Sequence, residues 1–131
     1  MTCPACGADD VAFPVPAELR DFLPDDRPAA TVCTRCLHVA PADDAPDDLP
    51  DFTAISDALP RDREAAAAVA LALGLLGALA VHREEIDGLF AFAERRGVDP
   101  LLVVDRLARD GALDPEIDLA RRRRQLEQLL D

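Results

Sequence analysis

The chain has 131 residues, half of them apolar and 31% charged, and its 26 acidic residues against 14 arginines give a formal net charge of −12. It contains no Lys, Trp, Tyr or Asn and a single Ser, Ser56. These absences exclude a lysine-dependent phosphate loop or Schiff base, five Phe are too few for a base-stacking platform, and the apolar content is too high for simple disorder.

The first element in chain order is Cys3-Pro4-Ala5-Cys6-Gly7. Val11, Phe13 and Val15 then alternate as in a short strand, which Pro14 and Pro16 confine to a sheet edge. Residues 17–23 fit one or two helical turns ahead of Pro24-Asp25-Asp26. Ala30–Val32 and Leu37–Val39 are short β-prone pieces on either side of Cys33-Thr34-Arg35-Cys36. Residues 41–51 combine three prolines with five aspartates, the composition of an extended, solvated linker.

Beyond residue 51 the pattern is helical. A short helix is expected near Phe52, with Phe52, Ile55 and Leu59 on one side, and Pro60 ends it. A long helix is predicted from Asp62 to Val81, and another over 83–96, closed by Gly97. Asp99-Pro100 and Asp114-Pro115 each place an acidic cap before Pro, predicting helices over 100–110 and 115–130.

Cys3, Cys6, Cys33 and Cys36 form two CxxC turns with 26 residues between them. Each turn can aim two sulfurs at one point, so the pair supplies four thiolates to a tetrahedral ion, for which Zn²⁺ is suited. A shell closed by four sulfurs leaves no position for water, so the expected role is structural. Binding free energy on the order of 10 kcal/mol would also explain how so short a Pro-rich segment folds. Iron in the same ligand set, and disulfide or redox chemistry, are the alternatives. His38 is expected at the surface or behind the ligands, not among them.

The Cys-Pro-x-Cys-Gly start resembles the CPxCG-related zinc ribbons of small archaeal proteins. The whole chain is similar to an uncharacterised haloarchaeal family with an N-terminal zinc ribbon and a C-terminal helical region. The resemblance implies metal at Cys3, Cys6, Cys33 and Cys36 and a haloarchaeal cytoplasm; it brings no activity, substrate or partner. Composition points to the same setting, because a lysine-free acidic surface stays soluble in molar salt, where a Debye length of about 3 Å screens self-repulsion. No signal peptide is legible at the N-terminus. The expected fold is therefore α+β: a small zinc ribbon with short antiparallel strands at 1–40, an acidic linker at 41–51, and a helical bundle at 52–131.

Ala65–Val81 is 17 residues without one polar side chain. At 1.5 Å per residue it would reach about 26 Å, short of a hydrocarbon core of about 30 Å, so a buried bundle helix is favoured over a membrane span. Arg121, Arg122, Arg123 and Arg124 form the one basic run, expected as a solvated turn paired with Glu116, Asp118, Glu127 and Gln128; a phosphate or partner contact is the alternative. One Ser and two His give no convincing nucleophile–base pair once the cysteines hold metal, so an enzyme is the weakest class. The leading expectation is a non-enzymatic protein–protein interaction module with an unknown protein partner or a second copy of itself. A nucleic-acid-associated ribbon using Arg20, Arg27, Arg35 and the Arg121–Arg124 run comes second, and a ribbon tethered to a membrane by 65–81 third.

Overall fold

The structure, a computed structural model, describes residues 2–129. Strands β1 (Asp10–Pro14), β2 (Ala29–Cys33) and β3 (Val39–Ala42) form an antiparallel sheet in the order β1-β2-β3. In register, Phe13 lies opposite Ala30, and Thr31 opposite Ala40. Pro14 ends an outer strand, as expected, where a missing N–H is tolerated. Between β1 and β2 the chain makes one helical turn, α1 (Ala17–Arg20).

Four longer helices follow: α2 (Arg63–Leu73), α3 (Arg83–Arg95), α4 (Pro100–Arg109) and α5 (Leu119–Leu129), with 3₁₀ turns at Phe52–Ala54 and Leu76–Ala78. The fold is thus mixed, a three-stranded antiparallel sheet with five helices. Asp62 starts α2 by accepting from the amides of Glu64 and Ala65, both at 3.1 Å. Every residue from Ala65 to Leu73 is buried, so α2 lies inside the molecule, packed on α3 and β3, as an all-round apolar helix must.

The helix predicted to reach Val81 stops at Leu73. At the next residue the chain passes close to β3: a Cβ on Gly74 would lie 2.8 Å from the Cβ of Val39, so glycine alone fits there. The chain then turns through Leu76–Ala78 and returns Leu75, Leu76 and Leu79 to the core. Among the described residues no helix is long and apolar enough to cross a membrane.

The ends of α3 and α4 follow their local signals. Gly97 takes a φ of +84°, and the Val98 amide donates back to the Ala93 carbonyl at 3.0 Å, closing α3. Asp99 caps α4 by accepting from the Leu102 amide, with Pro100 in the first turn. Helix α5 departs from expectation: it begins at Leu119, and its cap is Asp118, which accepts from the Arg121 amide at 3.0 Å. Asp114-Pro115 is engaged elsewhere, with the cysteine turns.

Sheet and helices share one apolar cluster, in which Phe13, Val15, Leu19, Val32 and Leu37 join α2, α3, α4, Leu119 and Leu126. Phe13 meets Phe52 edge-on with ring centroids 5.2 Å apart. Phe22 lies so close over Gly88 of α3 that a Cβ there would be 2.4 Å from its ring. The segment read as a linker at 41–51 is anchored at both ends: Pro41 and Ala42 belong to β3, the Leu49 carbonyl accepts from Arg63, and Asp51 caps the Phe52–Ala54 turn. Ser56, the single serine, donates to Asp110 at 2.6 Å and accepts from the Ala58 amide, fixing residues 56–58 against the end of α4.

Candidate metal centre

The two CxxC turns meet at one end of the sheet. The first precedes β1 and is folded back on itself: the Cys3 amide donates to the Ala8 carbonyl at 2.7 Å and the Gly7 amide to the Cys3 carbonyl at 2.9 Å. The second forms the β2–β3 connection, closed by the Cys33 amide donating to the His38 carbonyl at 2.9 Å. The Thr34 amide and hydroxyl both bond the Asp9 carbonyl, tying one turn to the other.

The residue after the second cysteine of each turn has positive φ: Gly7 at +81° and Leu37 at +61°. Glycine takes that conformation freely, whereas for a leucine it costs about 1–2 kcal/mol. Leu37 tolerates the strain because its side chain is 5% exposed, within the core shared with the helices. Glycine at the first position is legible in the sequence as suited to this conformation, whereas nothing about a leucine announces it.

The four sulfurs of Cys3, Cys6, Cys33 and Cys36 all lie within 4.8 Å of one another, so the group can hold a metal ion. Two close approaches run between the turns, 3.6 Å for Cys3–Cys36 and 3.4 Å for Cys6–Cys33. Backbone amides point at the sulfurs: Ala5 N–H at Cys3 (3.3 Å), and those of Arg35 (3.3 Å) and Cys36 (3.4 Å) at Cys33. Cys3, Cys33 and Cys36 are buried, Cys6 is exposed, and none forms a disulfide. Burial pushes the Cys36 thiol far above its ordinary range; the His38 amide lowers it and the three neighbouring sulfurs raise it again. Four sulfurs in this space are a donor set that fits a soft or borderline metal ion.

His38 is not a member of this group. Its Nδ1 lies 2.8 Å from an Glu116 carboxylate oxygen, as expected of a residue behind the ligands. Glu116 arrives there because residues 114–116 dock on the second turn: the Asp114 amide donates to the Arg35 carbonyl at 2.8 Å and the Glu116 amide to the Cys36 carbonyl at 3.0 Å. The segment is thereby held against the second turn, and the helix begins only after it, at Leu119. No local signal distinguishes Asp114-Pro115 from Asp99-Pro100, because the partners lie nearly eighty residues away in the chain.

The arginine run falls on α5, where it pairs with Glu127 as expected but otherwise with partners that differ from expectation. Arg123 reaches Glu127 and Asp105, Arg122 bonds Gln125 at 3.0 Å, and Glu116 is occupied by His38. Arg121 and Arg124 are exposed without an ion pair among the described residues. Of the other arginines considered, Arg27 is held by both oxygens of Asp25, at 2.6 and 2.8 Å, while Arg35 is exposed.

No curated protein and no solved structure matches the chain. A family does: the chain belongs to the family of unknown function DUF6276, which it matches over residues 2–130.

Proposed function

We propose that this member of the family is a non-enzymatic, zinc-stapled interaction module, in which Cys3, Cys6, Cys33 and Cys36 hold one structural Zn²⁺. The observation that carries the reading is the convergence of four sulfurs to within 4.8 Å at the meeting of two CxxC turns. Bond lengths of about 2.3 Å to a tetrahedral zinc imply sulfur–sulfur edges of about 3.8 Å, which matches the spacing of the cluster. On this reading the sheet with its two turns is a zinc ribbon, and α2–α5 form a helical bundle against it. The ion contributes folding free energy and no chemistry, since all its positions are taken by sulfur.

Action through a protein partner, or through a second copy, is supported by what the chain lacks in catalytic groups. Ser56 is committed to Asp110, and His38 to Glu116. The working environment we assign is a haloarchaeal cytoplasm, supported by the net charge of −12 without a single lysine. A nucleic-acid contact is the second reading, favoured by Arg121 and Arg124 standing exposed on α5.

The test is elemental analysis of the full chain purified without added metal, followed by native co-purification at molar KCl. The expected result is one zinc per chain and a stoichiometric protein complex or homodimer that survives nuclease. Metal-free protein overturns the zinc assignment. Recovery of nucleic acid instead, lost in Arg121→Ala/Arg124→Ala, replaces the first functional reading with the second.

A further inference from the structure

The four sulfurs are unequal in two respects that together point beyond a passive staple. Cys6 is exposed while the other three are buried, so it is the sulfur an oxidant in solution meets first. It is also without a backbone amide donor among the described residues, whereas Cys3 accepts one such bond, Cys33 two, and Cys36 faces the His38 amide. An amide hydrogen bond withdraws electron density from a thiolate and blunts it as a nucleophile; the exposed sulfur is left unblunted. Its Sγ lies 3.4 Å from that of Cys33 on the other turn, and those of Cys3 and Cys36 are 3.6 Å apart.

From this arrangement we infer that the centre is a peroxide-responsive site at which Cys6 is oxidised first and is resolved by Cys33, linking the two turns by a disulfide as the metal ion is lost. The inference rests on the zinc reading for the ion it releases, while its pairing rule rests on the sulfur positions alone. In the first step the Cys6 thiolate attacks one oxygen of hydrogen peroxide; the O–O bond breaks, hydroxide leaves, and Cys6 becomes a sulfenic acid. In the second, the Cys33 thiolate attacks the Cys6 sulfur; the S–O bond breaks, a second hydroxide leaves, and the disulfide forms. The two sulfurs together lose two electrons and one peroxide takes them up. Only two thiolates then remain, too few to keep a structural ion in place. They are the buried pair Cys3 and Cys36, placed to consume a second peroxide in the same way. Both disulfides join turn to turn, so the oxidised chain stays cross-linked where the ion had joined it, and a thiol reductant with added zinc restores the starting state.

The experiment uses the full chain as purified, its metal content measured beforehand. Substoichiometric hydrogen peroxide is added, released zinc is followed with a chromogenic chelator, and disulfides are mapped by mass spectrometry without reduction. A brief pulse of N-ethylmaleimide on the untreated protein provides a second reading that needs no variant. The expected results are Cys6–Cys33 as the first disulfide, zinc release in step with it, reversal by dithiothreitol and zinc, and Cys6 as the first alkylated cysteine. A first disulfide within either turn, Cys3–Cys6 or Cys33–Cys36, overturns the inference. So does first alkylation at another cysteine, or full zinc retention when the disulfide has formed. Protein that arrives without zinc but still forms Cys6–Cys33 first would sink the zinc reading and leave the pairing rule standing; zinc-loaded protein with the wrong pairing would do the reverse.

Discussion

The two ends of this molecule are held by different physics. Around α2 and α3, order comes from apolar area: nine consecutive residues from Ala65 to Leu73 are buried, and α3 lays Ile86, Leu89, Phe90, Phe92 and Ala93 into the same core. Around the two CxxC turns there is little such area, for the separate cluster there is no more than Cys3, Cys33 and Cys36 with Ala8 against them. Its geometry instead depends on local hydrogen bonds and on whatever the four sulfurs hold. The contrast predicts that one end responds to chelators and oxidants, while the other responds to changes of volume. They communicate because Phe13 and Val39 on the sheet, and Leu37 in the turn between β2 and β3, pack into the helical core.

The sharpest way to break the comparison is Cys33→Ser. It removes the sulfur that accepts two backbone amides, and the expected outcome is loss of bound metal with rapid amide exchange at residues 2–10 and 33–38. Helical circular dichroism should persist at low temperature, but the melting temperature should fall for the whole chain, because the core is shared. Unchanged exchange at the turns in metal-free protein would show that they hold themselves together.

A smaller effect is expected at the seam between the ends. Gly74→Ala pushes a methyl group against the Val39 Cβ, which is fixed to the backbone of β3 and cannot rotate away. Overpacking of this kind costs about 2 kcal/mol, measurable in urea, with metal content unchanged. A neutral result would mean that α2 and β3 are not in register as described.

The smallest effect is at the far end of the helices from acid. Burial works to raise the Asp62 carboxyl, but the Ala65 amide, the Arg96 guanidinium and the Glu64 amide outweigh it and hold the group below the usual carboxylate range. A lowered folded value stabilises above the unfolded value of about 3.9 and loses that contribution as pH falls through the folded one. Stability should therefore decline below about pH 4, and Asp62→Asn, which can still cap α2, should flatten that slope. An unchanged slope in the variant would assign the acid response to other groups.

What was legible in the sequence was whatever is decided within a few residues. The clustering of the four cysteines follows from CxxC spacing, and α3 and α4 follow from Gly97 and Asp99-Pro100, whose capping bonds close within a turn. What was not legible is decided across the chain. The close approach of Gly74 to Val39, the docking of residues 114–116 on the carbonyls of Arg35 and Cys36, and the meetings of Phe22 with Gly88 and Phe13 with Phe52 all join residues far apart in sequence. A single chain read along its length holds no signal for such pairings.

Leu37 sits where those two kinds of decision collide. Its backbone, at φ +61°, asks for glycine, and its buried side chain asks for a large aliphatic group. Glycine would relieve the torsion and leave a void in the core worth more than the relief; valine or isoleucine would fill the space but resist the torsion more strongly through branching at Cβ. Neighbouring substitutions are thus uphill on both sides, and the position is trapped between two demands that no other common aliphatic residue reconciles as well.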